Sequence, residues 1–329
     1  MEVQDGAELC FPQLLNTSCR KPTVSWSEAV FLHFVLLPIS VLTVALNLLV
    51  IISVSHFRQL HKPTNLLLLS LSVSDLLVGL VNFPGEILRK ISCWFLGDLV
   101  CSLYKCVATV SVSSSVGNMV LISVDRYVLI CDPLHYPTRV TVGRVELTIF
   151  LCWFCSNLHS SVLINYKEFQ RDNYISCYGE CVFVINNVGA VFDVVVTFII
   201  PVSFIIVLYL RVFVVAVSQA RAMRSHITAV KLQRTVAVTV KRSELKSART
   251  LGVLISVFLI CFCPFYCVAL AGSNLLNTSY GIFVFCLLCF NSCLNPVIYA
   301  LFYSWFRRAV KLIVTLQILQ PGSCEANIL

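Results

Sequence analysis

Two carboxylates lie inside long apolar stretches of the sequence, where a charged side chain is unfavourable. Asp75 stands in the segment LSVSDLL and Asp193 in VFDVVV, while Asp125 is followed directly by Arg126. A charge within a membrane costs a few kcal/mol or more, so each such residue indicates a binding site, an ion path or a switch. Asp75 and Asp193 can hold a metal cation or an ammonium group. The pair of Asp125 and Arg126 can lock neighbouring elements together.

The composition indicates that lipid surrounds most of the chain. Of 329 residues, 58% are hydrophobic and 12% are charged, and the mean hydropathy is +0.88. Such a chain is neither disordered nor typical of a soluble enzyme, and we find no arrangement of nucleophile and base that predicts catalysis. The net charge of +8 is not gathered into a basic stripe with interleaved aromatic residues. We therefore expect no nucleic-acid partner.

Seven apolar stretches are long enough to cross a hydrocarbon core of about 30 Å. They lie approximately at 29–54, 64–88, 99–130, 147–166, 188–213, 250–272 and 281–302. The predicted fold class is an all-α membrane protein, a seven-transmembrane helix bundle over residues 29–302. An N-terminal segment, 1–28, precedes it and a tail, 303–329, follows. Glu86 and Glu244 lie near helix ends, where we expect water to reach them.

Positive charge predicts the orientation of the bundle. Lys and Arg are concentrated in the segments after spans one, three, five and seven, including the basic stretch 211–249. The positive-inside rule places those segments in the cytoplasm, so the N-terminus is expected outside the plasma membrane and the C-terminus inside. The N-terminal segment has no apolar core, and we expect no cleavable signal peptide. Asn16 begins an Asn-Thr-Ser sequon and is a predicted glycan acceptor, although so short a motif is weakly specific.

Cysteines in the predicted outer segments are candidates for disulfides, because that side of the membrane is oxidising. They are Cys10, Cys19, Cys93, Cys101, Cys177 and Cys181. Their connectivity stays open at this point, since sequence alone does not choose among the possible pairings. Cys324 in the tail is a candidate for palmitoylation or, equally, a free cytosolic thiol.

Landmark residues on all seven spans resemble those of rhodopsin-class G-protein-coupled receptors. They are Asn47, Asp75, Asp125-Arg126-Tyr127, Trp153, Pro201, Phe258 with Pro264, and the segment NPVIY at 295–299. Within that class, three segments resemble the trace amine-associated receptors. They are NSCLNPVIYALFYSWF at 291–306, HFRQLHKPTN at 56–65 and CDPL at 131–134.

The resemblance implies two disulfides and a sodium site. Cys101 would pair with Cys181, and either Cys10 or Cys19 with Cys177. The residues that match a sodium cage are Asp75, Ser115, Asn291, Ser292 and Asn295. Their oxygen atoms suit a hard cation, and the alternative is a hydrated polar cluster without an ion.

The resemblance also implies an activation switch and its partners. Arg126 would be held at rest by Asp125 and by Glu244, and its release would open a cleft for a G protein. Tyr209 and Tyr299 match the tyrosines that move inward on activation. The remaining switch positions are Tyr127, Phe258 and Pro296. Arrestin and a receptor kinase are further partners that the family implies.

A short amphipathic helix is predicted after span seven. Its apolar residues are Trp305, Phe306, Ala309 and Ile313, and its basic residues are Arg307, Arg308 and Lys311. Such a helix is expected to lie on the lipid of the inner leaflet.

The ligand anchor usual for amine receptors is missing from span three. That aspartate would stand seven residues after Cys101, at Ala108, and the aromatic partner on span seven falls at Cys289. Asp193, eight residues before Pro201, faces the ligand cavity in this class, and we hypothesise that it is the ammonium counter-ion. The absence of the span-three aspartate together with an aspartate on span five resembles a branch of the family found largely in bony fishes. The alternative is an Asp193 that bonds to a neighbouring helix without touching the ligand.

The remaining pocket residues are inferred from depth and helical periodicity. Val112 and Thr197 are expected to face Asp193, and Phe262, which replaces the usual tryptophan, to wall the cavity with Phe265 and Tyr266. Aromatic faces attract cations, although such residues can also be ordinary packing. Glu86 is a candidate second carboxylate for a diamine.

The sequence therefore predicts a receptor for amines, an olfactory sensor that signals through a stimulatory G protein to cyclic AMP. A receptor of the same fold for a neutral or lipid ligand is the alternative, because Ala108 and Cys289 carry no charge. A seven-span transporter or channel that uses Asp75 and Asp193 as a relay is a remote alternative. The two carboxylates lie at different depths without titratable residues between them, and no repeated halves are visible.

Overall fold

The computed structural model describes residues 8–14, 17–168, 177–182, 187–227, 235–271, 279–326 and 328. Within these residues, seven helices are long and apolar enough to cross a membrane. They are spans one to seven: Trp26–His56, Pro63–Ile91, Gly97–Cys131, Val142–Ile164, Val188–Val215, Gly252–Ala271 and Tyr280–Phe302. The predicted seven-helix fold is confirmed, and the predicted spans differ from these mainly where helices extend beyond their apolar part.

Local chemistry explains where the first two spans begin. Ser25 caps span one, because its hydroxyl accepts from the Glu28 N–H while the Glu28 carboxylate accepts from the Ser25 N–H. This reciprocal arrangement satisfies backbone donors that the first helical turn leaves free. Span two begins at Pro63, whose fixed φ and missing N–H suit the first position of a helix.

Three wide π-helical turns interrupt the spans, and each precedes a proline. The turns are Leu32–Leu36, Val78–Asn82 and Val195–Ile199, and the prolines are Pro38, Pro84 and Pro201. Proline has no N–H to donate and its ring crowds the carbonyl one turn before it, so a wider turn relieves the clash. Pro264 and Pro296 also lie within helices, but those helices continue as α-helix.

Span three is the centre of the bundle. It packs against spans two, four and five, and spans one, two, six and seven close the remaining sides. The largest fully buried side chains include Phe57, Phe83, Phe258, Tyr299 and Phe306. Spans four and five keep most of their apolar side chains outward, which suits a surface in contact with lipid.

Three disulfides join the segments at the end of the bundle that carries the N-terminus. Cys101 pairs with Cys181, and Cys19 rather than Cys10 pairs with Cys177. Cys10 pairs instead with Cys93, a bridge that the resemblance did not imply. The Cys10 N–H also donates to the Cys19 carbonyl at 2.8 Å. This bond holds the Cys10–Cys93 and Cys19–Cys177 bridges side by side. Asn16 lies outside the described residues.

The helix Ser304–Val314 follows span seven and packs on span one. Trp305, Phe306 and Ala309 are buried, whereas Arg307, Arg308 and Lys311 are exposed and Ile313 is half-buried. The tail then returns to the link between spans one and two, where His56 Nε2 lies 3.0 Å from Ser323 Oγ. The amphipathic helix therefore has one face against the bundle and a basic face outward.

Candidate functional site

Asp193 lies at the end of the helix Asn187–Val194, directly before the wide turn of span five. Its side chain is 21% exposed, and its Oδ1 atom lies 3.3 Å from Nε2 of His159 on span four. The Thr197 hydroxyl is 3.4 Å from the same Oδ1 atom. Among the described residues, Oδ2 has no hydrogen-bond or ion-pair partner. The polar contacts of this partly exposed carboxylate are thus made by Oδ1.

Thr197 connects Asp193 to span six. The Thr197 hydroxyl donates to the Asp193 backbone carbonyl at 2.6 Å and lies 2.9 Å from the Tyr266 hydroxyl. Both Thr197 and Tyr266 are buried. Thr197 therefore bonds both to Asp193 and to span six.

Aromatic side chains form a stack beside this group. The Tyr266 ring lies 4.7 Å from the Phe198 ring and 5.3 Å from the Phe265 ring, measured between centroids. Below it, the Phe262 ring lies 4.2 Å from that of Phe258. Phe262 is buried and Phe265 is half-buried. Of this group, the half-buried Phe265 has the most surface left to offer a ligand.

His159 is the neighbour of Asp193 that the sequence analysis missed. Its ring is buried, its Nδ1 lies 3.1 Å from the Ser113 hydroxyl of span three, and it stacks on Phe192. Nε2 is near Asp193 but has no hydrogen-bond partner of good geometry in the described part of the chain. His159 could have been found by the signal that identified Asp193, namely a titratable side chain inside an apolar stretch.

Ala108 of span three and Cys289 of span seven stand at the positions of the usual anchors. Ala108 is buried with Trp94, Tyr104 and the Cys101–Cys181 disulfide, and Cys289 is also buried. Val112, one turn further along span three, is half-buried. Neither Ala108 nor Cys289 supplies a carboxylate or a hydroxyl, so these two positions provide no charge for an ammonium group.

The expectation that water reaches Glu86 is wrong. Glu86 is 3% exposed, and both of its oxygens accept from Arg89, at distances of 2.6 to 3.0 Å. Arg89 follows one turn later on the same helix, so the bidentate ion pair lets the carboxylate be buried. Glu86 is therefore already paired, which removes the ground for assigning it to a diamine.

Asp75 is the centre of a buried polar cluster. Its Oδ1 accepts from Ser115 at 3.2 Å and from Ser292 at 2.8 Å, and its Oδ2 accepts from Asn295 at 2.8 Å. Asn291 is buried nearby in the chain on span seven, and its amide has no hydrogen-bond partner among the described residues. Carboxylate, hydroxyl and amide oxygens suit a sodium ion, so the donor set fits the predicted cage.

Asp125 ties span three to the segment that follows it. Its Oδ2 accepts from Arg126 Nη2 at 2.5 Å and from the Thr64 hydroxyl at 3.0 Å, and its Oδ1 accepts from the Tyr136 hydroxyl at 2.8 Å. Burial raises the pKa of Tyr136 to about 12, so this phenol is a donor at neutral pH. The side chain of Glu244, the predicted partner of Arg126, is not among those that the structure describes.

The other switch residues lie along the same end of the bundle. Tyr299 is fully buried with its ring 6.0 Å from that of Tyr303, and Tyr127 is half-buried. Tyr209 lies against Gly252 of span six, where an added Cβ would stand 2.8 Å from the Tyr209 hydroxyl. Glycine thus permits this close approach of spans five and six.

Seven membrane helices around a buried polar centre, with an Asp-Arg-Tyr segment ending the third, define the class of seven-span receptors. Residues 46–299 match the family model of the 7 transmembrane receptor (rhodopsin family). The chain is 36% identical to trace amine-associated receptor 13c of Danio rerio, over 98% of this chain and 97% of that protein. It is 37% identical to trace amine-associated receptor 8a of Rattus norvegicus, over 99% of this chain and 97% of that protein.

The chain therefore belongs to the trace amine-associated receptors, a branch of the rhodopsin-family G-protein-coupled receptors. The family resemblance inferred from the landmark residues is confirmed. Membership makes this a multi-pass plasma-membrane protein that binds a small-molecule ligand and couples to a G protein, and it is not an enzyme.

Proposed function

We propose that this receptor detects amines and that Asp193 pairs with the ligand ammonium. The supporting observation is the half-engaged carboxylate, whose Oδ2 has no hydrogen-bond or ion-pair partner among the described residues and which is partly exposed within an apolar span. An ammonium about 4 Å away gains roughly 4 kcal/mol at an effective dielectric of about 20. Removing one partner of a buried pair costs about 3–5 kcal/mol, or two to three and a half decades of affinity.

The surroundings of Asp193 suit the rest of such a ligand. Phe265, Tyr266 and Phe262 offer aromatic surface to alkyl groups and to positive charge. Thr197 offers a hydroxyl one turn below the carboxylate. Ala108 and Cys289 carry no charge, so Asp193 on span five is the proposed position for the cation. Val112, half-buried on span three, is a further proposed wall of the cavity.

The proposal includes an orientation, with the N-terminus and the three disulfides outside the cell. The charge distribution between the two ends supports it, as does the need of disulfides for an oxidising compartment. Asn16 would then be open to glycosylation. The basic segment 211–249 would face the G protein, which we propose to be of the stimulatory or olfactory type, with cyclic AMP as the signal and arrestin and a receptor kinase ending it.

We further propose that the Asp75 cluster holds a sodium ion at rest. Asp75, Ser115 and Ser292 would supply oxygen ligands, and the amides of Asn291 and Asn295 would complete the surroundings. The ion would neutralise the buried carboxylate and favour the resting arrangement of spans two, three and seven.

A matched ligand panel in a cyclic-AMP reporter cell tests the amine proposal. Primary, secondary and tertiary alkylamines are each compared with the alcohol of the same carbon skeleton, with direct adenylyl cyclase activation as the control for cell response. Saturable responses to amines but not to their alcohols are expected. Equal responses to alcohols would favour the neutral-ligand alternative, for which the uncharged Ala108 and Cys289 are the observation.

A further inference from the structure

His159 occupies an unusual position, buried in span four and aimed at the carboxylate of span five. Its Nε2 lies 3.3 Å from Asp193 Oδ1, and its side chain is 7% exposed. On the other side of the ring, Nδ1 lies 3.1 Å from the Ser113 hydroxyl. A serine hydroxyl that donates to Nδ1 favours the tautomer with hydrogen on Nε2, the ring nitrogen nearer to Asp193.

The approach of the two groups is close but incomplete. Nε2 is buried without a hydrogen-bond partner of good geometry among the described residues, although a carboxylate oxygen stands within ion-pair distance. Buried polar atoms of this kind are rare, because leaving them unpaired is unfavourable. His159 and Asp193 thus stand within ion-pair distance without completing a hydrogen bond.

We propose that His159 is a positioning residue that holds Oδ1 of Asp193, presents Oδ2 to the amine, and competes with the amine when it takes up a proton. The inference rests on the proposed role of Asp193. A neutral imidazole orients the carboxylate and leaves its charge for the ligand. A protonated imidazole supplies its own positive charge to the same carboxylate, so the ligand ammonium must displace it.

Other groups that face the pair do not change charge over the relevant pH range. Ser113 faces it from span three, Thr197 from span five and Tyr266 from span six. The Cys106 thiol of span three contacts Ser160, next to His159. Phenols and thiols ordinarily titrate above pH 8, whereas imidazoles titrate between pH 5 and 8. Alkylammonium ligands stay charged throughout.

The expected effect is a loss of potency in acid. Imidazoles change charge between pH 5 and 8, so the concentration for half-maximal response should rise between pH 7.5 and pH 5.5. Ser113 contacts His159 and not Asp193. Removing the Ser113 hydroxyl should therefore change the size of the potency loss in acid without abolishing the response to amine.

The test uses the full-length receptor in cells and the most potent primary alkylamine of the panel, applied at external pH 7.5 and 5.5. The His159→Gln and His159→Asn variants keep a neutral polar side chain, and His33→Gln is the matched control, since His33 is exposed on span one. Wild type and His33→Gln should lose potency severalfold at pH 5.5, and both His159 variants should keep theirs within about twofold. An equal loss in the His159 variants, or no loss in wild type, would overturn the inference.

The Asp193→Asn receptor separates this inference from the proposed function. If Asp193→Asn still responds but with a potency that no longer depends on pH, the ammonium assignment fails while the coupling of His159 to Asp193 stands. If it still responds and keeps the full pH effect, both fail. If Asp193→Asn loses the amine response, the ammonium assignment stands. The role of His159 is then decided by whether the potency of the His159 variants is independent of pH.

Discussion

Thr197 and Tyr266 join spans five and six through hydroxyl oxygens that lie 2.9 Å apart, one helical turn from Asp193. The Thr197 hydroxyl also bonds to the Asp193 carbonyl, so the chain of contacts runs from span six to the proposed anchor. Thr197 and Tyr266 therefore form a short path of hydrogen bonds between span six and the proposed ligand anchor, Asp193.

The Tyr266→Phe variant tests this path. It removes one hydroxyl and leaves the ring packing with Phe198 and Phe265 unchanged. A buried hydrogen bond contributes about 0.5–1.5 kcal/mol, so we expect amine potency to fall about two- to tenfold. Dose–response curves at equal surface expression measure it. Tyr280→Phe, at an exposed tyrosine of span seven, is the control, and an identical fall in both would remove Tyr266 from the path.

The ion pair of Glu86 and Arg89 predicts a stability effect. Glu86→Gln removes one partner of this ion pair, in which Glu86 is buried and Arg89 half-buried. A fully buried pair commonly loses about 3–5 kcal/mol in this way, so we expect a loss below that range. Surface expression and the Tm of the purified receptor should fall, and the double variant Glu86→Gln/Arg89→Gln should recover part of the loss. Glu8→Gln, in the exposed pair with Lys21, should change stability by less than about 1 kcal/mol. Wild-type stability in Glu86→Gln would contradict the pairing.

The bridge between Cys10 and Cys93 predicts a thermodynamic cycle. Cys10→Ser, Cys93→Ser and the double variant should lower stability by the same amount, about 2–4 kcal/mol, because each removes one and the same disulfide. Thermal denaturation measures the loss, and mass spectrometry of non-reduced peptides identifies the partners. Additive losses, or a Cys10 peptide joined to Cys177, would refute this connectivity.

The Tyr136 contact predicts a change in basal signalling. Tyr136→Phe removes the donor to Asp125 Oδ1, and a hydrogen bond to a charged group contributes about 1.5 kcal/mol or more. If the network holds the resting state, ligand-free signalling should rise about tenfold or more per receptor at the surface. Tyr280→Phe, at an exposed tyrosine of span seven, serves as the control. Unchanged basal signalling in Tyr136→Phe would assign the contact to folding alone.

Much of the fold could be predicted because its signals are local. Apolar length gives the seven spans, and a carboxylate within such a stretch stands out at Asp75 and Asp193 without any knowledge of neighbours. The wide turns in front of Pro38, Pro84 and Pro201 were not predicted, and the helices that contain Pro264 and Pro296 continue without one.

The partners of these residues could not be predicted, because they depend on how helices meet. Nothing in the sequence says that His159 rotates toward Asp193, or that Cys10 reaches Cys93 and leaves Cys177 to Cys19. Glu86 was misjudged for a related reason. Its proximity to a helix end suggested water, whereas Arg89 one turn later makes burial possible.

The Asp193→Asn receptor provides the most direct test of the central claim. The substitution keeps the shape of the side chain and removes its charge, so surface expression should equal that of wild type. We predict that amine potency falls by at least about a hundredfold or that the response disappears, while Asp193→Glu retains part of it. An Asp193→Asn dose–response curve that superimposes on the wild-type curve would contradict the claim.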